Sequence, residues 1–209
     1  MPDPFRTSYS SPLQVVLAGG SGQIGRALAR DFTAGGHSVT ILVRSGDWSG
    51  AINHSDLLIN LAGRSVNCRY SPQNRKEMLQ SRLESTLLLG YAVARVSNPP
   101  RVWMNASTAT IYRHSFDRDM TESAGELAGS EPDVPSTWRF STEVAKAWEE
   151  QFFEAEIPEA VRRIALRSAM TMTPDRGGLF DLATGGWFPL SVCKLVGSVP
   201  GSCETVEGT

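Results

Sequence analysis

The sequence has little lysine, few cysteines and no long apolar run, and each shortage excludes a class of protein. Lysine occurs only at Lys76, Lys146 and Lys194, and 20 basic residues face 22 acidic ones, which leaves a net charge of −2. A chain without a broad positive field is not expected to bind nucleic acid or a membrane surface. Cys68, Cys193 and Cys203 are an odd number without metal or redox spacing. They point to a reducing cytoplasm rather than a disulfide framework, and none is placed like a nucleophile. No apolar run approaches the roughly 18 residues that a membrane span needs. Residues 1–12 are polar, rich in proline and serine, and lack the basic-then-apolar order of a secretory signal, so they read as a loose leader.

What is present suffices for one substantial core: 209 residues, 41% hydrophobic and 20% charged, predict a single domain. Residues 13–18 (LQVVLA) form a short β-branched run ending in glycines, the pattern of a buried parallel strand. Ile24, Leu28 and Phe32 follow at helical spacing until Gly35-Gly36 stops the helix. Residues 39–43 read as a second buried strand and 57–61 as a third. Met78, Leu79, Leu83, Leu87 and Val93 mark a long helix over 72–96, closed by Asn98-Pro99-Pro100. A strand at 101–106, an amphipathic helix at 138–155 and a strand at 160–168 complete the order. Short buried strands alternating with helices predict an α/β fold with a doubly wound, Rossmann-like parallel sheet that takes ligands at the carboxyl ends of its strands.

Two stretches fit that architecture poorly. Residues 45–55 barely reach the length of a parallel crossover and lack helical periodicity, so the sheet is expected to be incomplete at one edge. From residue 180 onward glycine and proline crowd together before a polar end. The expectation is therefore a dinucleotide-binding domain at 13–180, incomplete at its C-terminal end, followed by an irregular, divergent tail at 181–209.

The segment Gly19-Gly20-Ser21-Gly22-Gln23-Ile24-Gly25 lies between the first strand and the first helix. A tight turn there presents backbone N–H groups to phosphate, and side chains would block the approach. Gly19 permits the turn, Gly22 admits the pyrophosphate to the helix N-terminus, and Gly25 lets helix and strand pack closely. A flexible turn is the plainer alternative, but the strand before and the helix after favour a dinucleotide. Arg44 ends the second strand where an acidic residue would accept hydrogen bonds from the 2′-hydroxyl of NAD. A guanidinium there can fork onto a 2′-phosphate, so NADP is favoured over NAD. Arg64 follows the third strand, and surface solvation accounts for it.

Several motifs then occur in the order of a known superfamily. GGSGQIG at 19–25, NLAG at 60–63 and NASTATIY at 105–112 resemble the cofactor-facing segments of extended and atypical short-chain dehydrogenases/reductases. NLAGRSVNCRYSPQNRKEMLQSRLEST (60–86), WRFSTEVAKAWEE (138–150) and ALRSAMTMTPDRGG (165–178) more narrowly resemble the "epimerase family protein" branch, which is similar to NAD-dependent epimerases and dehydratases. The resemblance implies NADP binding, with Ala62, Gly63, Ser107 and Arg167 near the cofactor and an unassigned small-molecule substrate. It also implies a homodimer through the helices at 72–96 and 138–155. Members continue past 178 into a substrate-binding portion that is not recognisable here, so the chain reads as a truncated relative.

By the same resemblance, Thr108 takes the place of the catalytic hydroxyl, with Ser107 beside it. Active members also use Tyr-x-x-x-Lys, in which a cation makes the phenol acidic enough for proton transfer. Neither Phe140/Val144 nor Ser141/Ala145 can do that work, and Lys146 is off the face by about 100° per residue. Tyr112 is a candidate proton donor in its stead, although a strand-end aromatic more often packs on the core. Arg82 stands where extended members carry an asparagine that faces the site. A salt bridge to Glu77 or Glu84 is the plainer account, though a residue two positions away faces elsewhere on a helix. Two functions remain open on these grounds: an NADP-dependent epimerase-like or oxidoreductase enzyme acting on a carbonyl or nucleotide sugar, or a non-catalytic dinucleotide-binding protein.

Overall fold

Five of the short apolar runs become strands and pair side by side in one direction. They are β1 (Gln14–Ala18), β2 (Ser38–Leu42), β3 (Leu57–Asn60), β4 (Val102–Thr108) and β5 (Arg162–Ser168). Four helices connect them: α1 (Gln23–Ala34), α2 (Ser49–Ile52), α3 (Pro72–Arg95) and α4 (Ser136–Phe153). The computed structural model describes residues 11–43, 46–129, 131–132, 134–169 and 171. Arg44 and the tail expected at 181–209 lie outside the described residues. All but Thr171 of those described belong to a compact unit covering residues 1–170.

The sheet order is β2-β1-β3-β4-β5, parallel throughout. The chain leaves β1 toward β2 on one side and returns to β3 on the other. Such a reversal is the switch point of a doubly wound sheet, and these sheets hold their ligands at the carboxyl ends of the strands on either side, here β1 and β3. Both faces of the sheet are covered. Leu28, Ala29 and Phe32 of α1 pack on Val15, Leu17 and Ile59. On the opposite face Val16, Leu58 and Trp103 meet Ile52 of α2, Leu89 and Val93 of α3, and Phe152 of α4.

The crossover from β2 to β3 differs from the loop expected of its composition, because it contains α2, a single helical turn with Ile52 fully buried. That turn is the shortest device that covers the sheet while the chain passes over β1. His54 then takes a left-handed φ of 64° and donates its N–H to Asn98 O at 2.8 Å, which turns the chain into β3.

The second strand is also not buried as its apolar content predicts. It pairs only with β1, and Ile41 and the neighbouring Val43 are 47% and 68% exposed. No described element packs beyond it. Hydrophobic runs predict strands, but burial depends on a neighbour, and here the expected incomplete edge leaves β2 at the border.

Local signals set the long helices. Ser71 caps α3 by accepting the N–H of Asn74 at 3.3 Å, and Pro72 occupies the first turn, where its missing N–H costs nothing. In α4, Ala145, Trp148 and Phe152 form the stripe that faces the core. Phe152 meets Trp103 edge-on, with ring centroids 4.8 Å apart and planes at 90°, and both side chains are fully buried. Replacing Phe152 by Ala is expected to lower stability by about 3–5 kcal/mol. Urea unfolding should show an earlier midpoint with an unchanged slope, and an unmoved midpoint would mean that α4 does not anchor the core.

Candidate functional site

The glycine turn closes β1 tightly. Gly19 has φ +79°, and its carbonyl accepts the N–H of Gly22 at 3.0 Å. A Cβ at Gly19 would lie 2.7 Å from the Leu61 carbonyl carbon and oxygen, so the loop after β1 touches the loop after β3. A Cβ at Gly25 would lie 2.5 Å from Gly19 O, which explains why helix α1 can start directly against the strand. Ser21 and Gly22 are exposed, Gln23 and Ile24 are half-buried, and Gly20 sits over Ile41. Gly22 is the N-cap of α1, which has no side-chain cap and no acidic residue in its first turn. The positive end of the helix dipole therefore remains available to an anion at the switch point. Arg26, one position past Gly25, donates to Ser21 O at 2.7 Å and adds a cation beside the turn.

Beneath Leu61, Ala62 and Gly63 lies a buried polar network. Asn60 Nδ2 donates to Asn105 Oδ1 at 2.7 Å and to Thr86 Oγ1 at 3.2 Å, and Asn60 Oδ1 accepts the N–H of Ala62 at 3.0 Å. Trp148 Nε1 donates to Thr86 Oγ1 at 3.0 Å. Asn60, Thr86 and Asn105 are each 0% exposed. Two strands and two helices are thus fastened to the loop that faces the glycine turn.

A second cluster sits at the ends of β4 and β5. Arg167 donates from Nε and Nη2 to the two oxygens of Glu149 at 2.8 and 2.7 Å, and from Nη1 to the Tyr112 hydroxyl oxygen at 2.8 Å. Ser107 donates to Glu149 Oε1 at 2.5 Å. Desolvation pushes the Glu149 pKa up, but the bonds from Arg167 and Ser107 outweigh it and hold the carboxyl below its ordinary value. Hydrogen bonding to Glu149 raises the Arg167 pKa. Ser107 and Arg167, both expected near the cofactor, are therefore committed to α4 and Tyr112 through these contacts. Thr108 is half-exposed at the strand end, and its hydroxyl lies 2.9 Å from that of Thr110.

The helix face where Tyr-x-x-x-Lys would stand is occupied differently. Phe140 meets Tyr70 edge-on, Ser141 bonds to the carbonyl of Thr137, and Ala145 is fully buried. Two further cations face α4 from α3: Arg75 stacks over Phe140 at 5.1 Å and Arg82 over Trp148 at 5.1 Å. Arg64 is exposed at the surface, as expected, and pairs there with Glu77. Sequence reasoning missed Glu149, Asn60, Thr86 and Asn105. The available signal for Glu149 was a carboxylate on the buried stripe of an amphipathic helix, beside Trp148. Among the described residues no group of His, Cys, Asp or Glu is arranged to hold a metal, and no helix is long and apolar enough to cross a membrane.

This arrangement, a parallel doubly wound sheet with an uncapped, glycine-bounded helix start at its switch point, defines a Rossmann-like fold of the dinucleotide-binding type. Comparison with known proteins narrows the class. The sequence pattern of the "NAD dependent epimerase/dehydratase family" matches residues 15–138, and the chain belongs to that family. It is 30% identical over 220 residues to "Epimerase family protein SDR39U1" of Bos taurus, covering 92% of this chain and 71% of that one. The crystal structure of human epimerase family protein SDR39U1 (isoform 2) with NADPH superposes with a TM-score of 0.66 at 28% identity, covering 82% of this chain and 60% of that one. The nucleoside-diphosphate sugar epimerase from Corynebacterium glutamicum gives a TM-score of 0.62 at 28% identity, covering 86% and 39%. The chain thus spans about three fifths of the human protein and less than half of the bacterial one.

The Glu149–Arg167 pair generates a pH prediction. A carboxyl held below its ordinary value contributes stability above the unfolded pKa, about 4.5, and loses it as pH falls through the folded value. Glu149→Gln leaves Arg167 without its counter-charge and is expected to cost about 3 kcal/mol at neutral pH. In urea titrations the gap between native and variant protein should close below pH 4.5. A gap that stays constant down to pH 3 would count against the pair as its source.

Proposed function

We propose that this protein holds NADP(H) in the crevice between the glycine turn and the Leu61–Gly63 loop, and acts there on a carbonyl or nucleotide-sugar-type small molecule as an epimerase-like or oxidoreductase enzyme. The observation that carries the cofactor reading is the open N-terminus of α1, set at the switch point with no room for side chains at Gly19 or Gly25. The human relative crystallised with NADPH supports it. Gly19 to Gly25 would receive the pyrophosphate, Ala62 and Gly63 would border the cofactor, and Arg44 would take the 2′-phosphate.

The bound cofactor supplies or accepts hydride at a substrate carbon. The chain's own part is to hold that carbon's oxygen and manage its proton. The Tyr112 hydroxyl oxygen accepts a bond from Arg167, which can only donate, so the phenolic hydrogen is left to donate elsewhere. Thr108, half-exposed at the end of β4, would orient the same oxygen. Ser107, Glu149 and Arg167 would fix Tyr112 rather than touch substrate. Exposed Leu87, Leu88 and Tyr91 on α3 support the expected homodimer.

A second reading, dinucleotide binding without catalysis, is favoured by one observation: Phe140 and Val144, or Ser141 and Ala145, replace the tyrosine and lysine of active relatives. Calorimetric titration followed by turnover assays separates the two. NADPH is expected to bind more tightly than NADH, and Arg44→Asp should weaken NADPH about tenfold while sparing NADH. Equal losses for both would remove Arg44 from the site, and no saturable binding of either would end both readings. With NADPH bound, hydride exchange on a panel of aldehydes, ketones and nucleotide sugars should fall on Thr108→Ala. Binding without exchange on any of them would favour the non-catalytic reading.

A further inference from the structure

Arg82 is a half-buried cation that the site described so far does not use. Its Nη1 donates to Met78 O at 2.8 Å and Arg64 O at 3.1 Å, and its guanidinium stacks over Trp148. A Cβ at Gly63 would lie 3.2 Å from Arg82 Cγ and 3.3 Å from Cζ, so the arginine side chain lies close against the loop that borders the glycine turn. Among the described residues Arg82 has no carboxylate partner: Glu77 pairs with Arg64, and no ion pair links Glu84 to it. Its Nε and Nη2 have no acceptor among the described residues. Burial draws its pKa below the ordinary value, the Tyr70 hydroxyl opposing this in part.

A partly desolvated cation with no counter-charge is well placed to take an anion at its unbonded N–H groups. Nη1 is engaged by the Met78 and Arg64 carbonyls, which leaves Nε and Nη2 as the N–H groups still open to a ligand. A planar edge of N–H donors matches two oxygens of one carboxylate or phosphate. Arg75, two helical turns earlier on α3 and stacked over Phe140, adds a second cation on the same side.

We propose that Arg82 is an anion-binding residue that receives a carboxylate or phosphate group at the Ala62–Gly63 loop, with Arg75 reinforcing the field. The site rests on the dinucleotide reading only for its neighbourhood, because the anion can belong either to the cofactor or to the substrate. Its test does not require cofactor to bind. Trp148 lies against the guanidinium and reports on it, so tryptophan fluorescence is followed while inorganic phosphate, and separately acetate, is added at constant ionic strength. A saturable change is expected in the native protein and its loss in Trp148→Phe, which assigns the signal. In Arg82→Gln the half-saturation concentration should rise about tenfold or more, and Arg82→Lys, which keeps the charge without the fork, should fall between. No saturable change in the native protein, or an unchanged midpoint in a folded Arg82→Gln, would overturn the proposal. Repeating the titration with saturating NADPH assigns the source. Loss of the response makes the anion a cofactor phosphate, and its persistence makes it an acidic group of the substrate. If NADPH does not bind while the phosphate response remains, the cofactor reading fails and the anion site stands.

Discussion

The hydrogen bonds among Asn60, Thr86, Asn105 and the indole of Trp148 carry the site, because they tie its walls together from below. Three of these groups are fully buried, so each bond left unmade would cost more than a surface bond is worth. Asn60 sits at the last position of β3 and spends its carbonyl oxygen on the N–H of Ala62. That choice fixes where the chain leaves the strand, and therefore where Leu61 meets Gly19. The turn after β1, the turn after β3 and the inner faces of α3 and α4 are consequently one mechanical unit.

The unit has a charged counterpart one strand away. Glu149 and Arg167 form a two-pronged pair that joins α4 to β5, with Ser107 of β4 supplying a third bond. A pair this buried adds little net stability, since desolvation offsets much of the attraction, but it leaves few alternative positions for α4. Tyr112 is held by the free arm of the same arginine, and its ring lies against Gly125, where a Cβ would approach to 2.5 Å. The orientation of the phenol is thus set by groups on three elements.

The strands and the three longer helices were legible in the sequence because their signals are local. Val15 to Ala18, the spacing of Ile24, Leu28 and Phe32, and the Ser71-Pro72 helix start each announce an element within a few residues. The burial of β2 was not legible, since Ile41 reads as core whether or not a further strand lies beside it. The glycine turn could be read because its conformation is dictated by backbone and absent side chains. Glu149, Asn60 and Thr86 could not, because their side-chain partners lie 18 to 62 positions away in the chain. Arg82 was recognisable as unusual, but the choice between a salt bridge and a free cation depends on which arginine reaches Glu77 first, and Arg64 does.

The missing tyrosine and lysine have a physical sequel in the way positive charge is distributed. In an active relative one helix supplies both the phenol and the cation beside it. Here α4 supplies neither at the matching positions, and its corresponding face is filled by Phe140 and Ala145. A phenol with a cation is nonetheless present, assembled from Tyr112 after β4 and Arg167 on β5, and further guanidinium groups approach from α3. Arginine cannot give up its proton as lysine can, so such a site can hold and polarise an oxygen but cannot relay a proton through its cation. Any proton delivered by Tyr112 must therefore be replaced from solvent or substrate, which ties catalysis, where it occurs, to how open the phenol is to water.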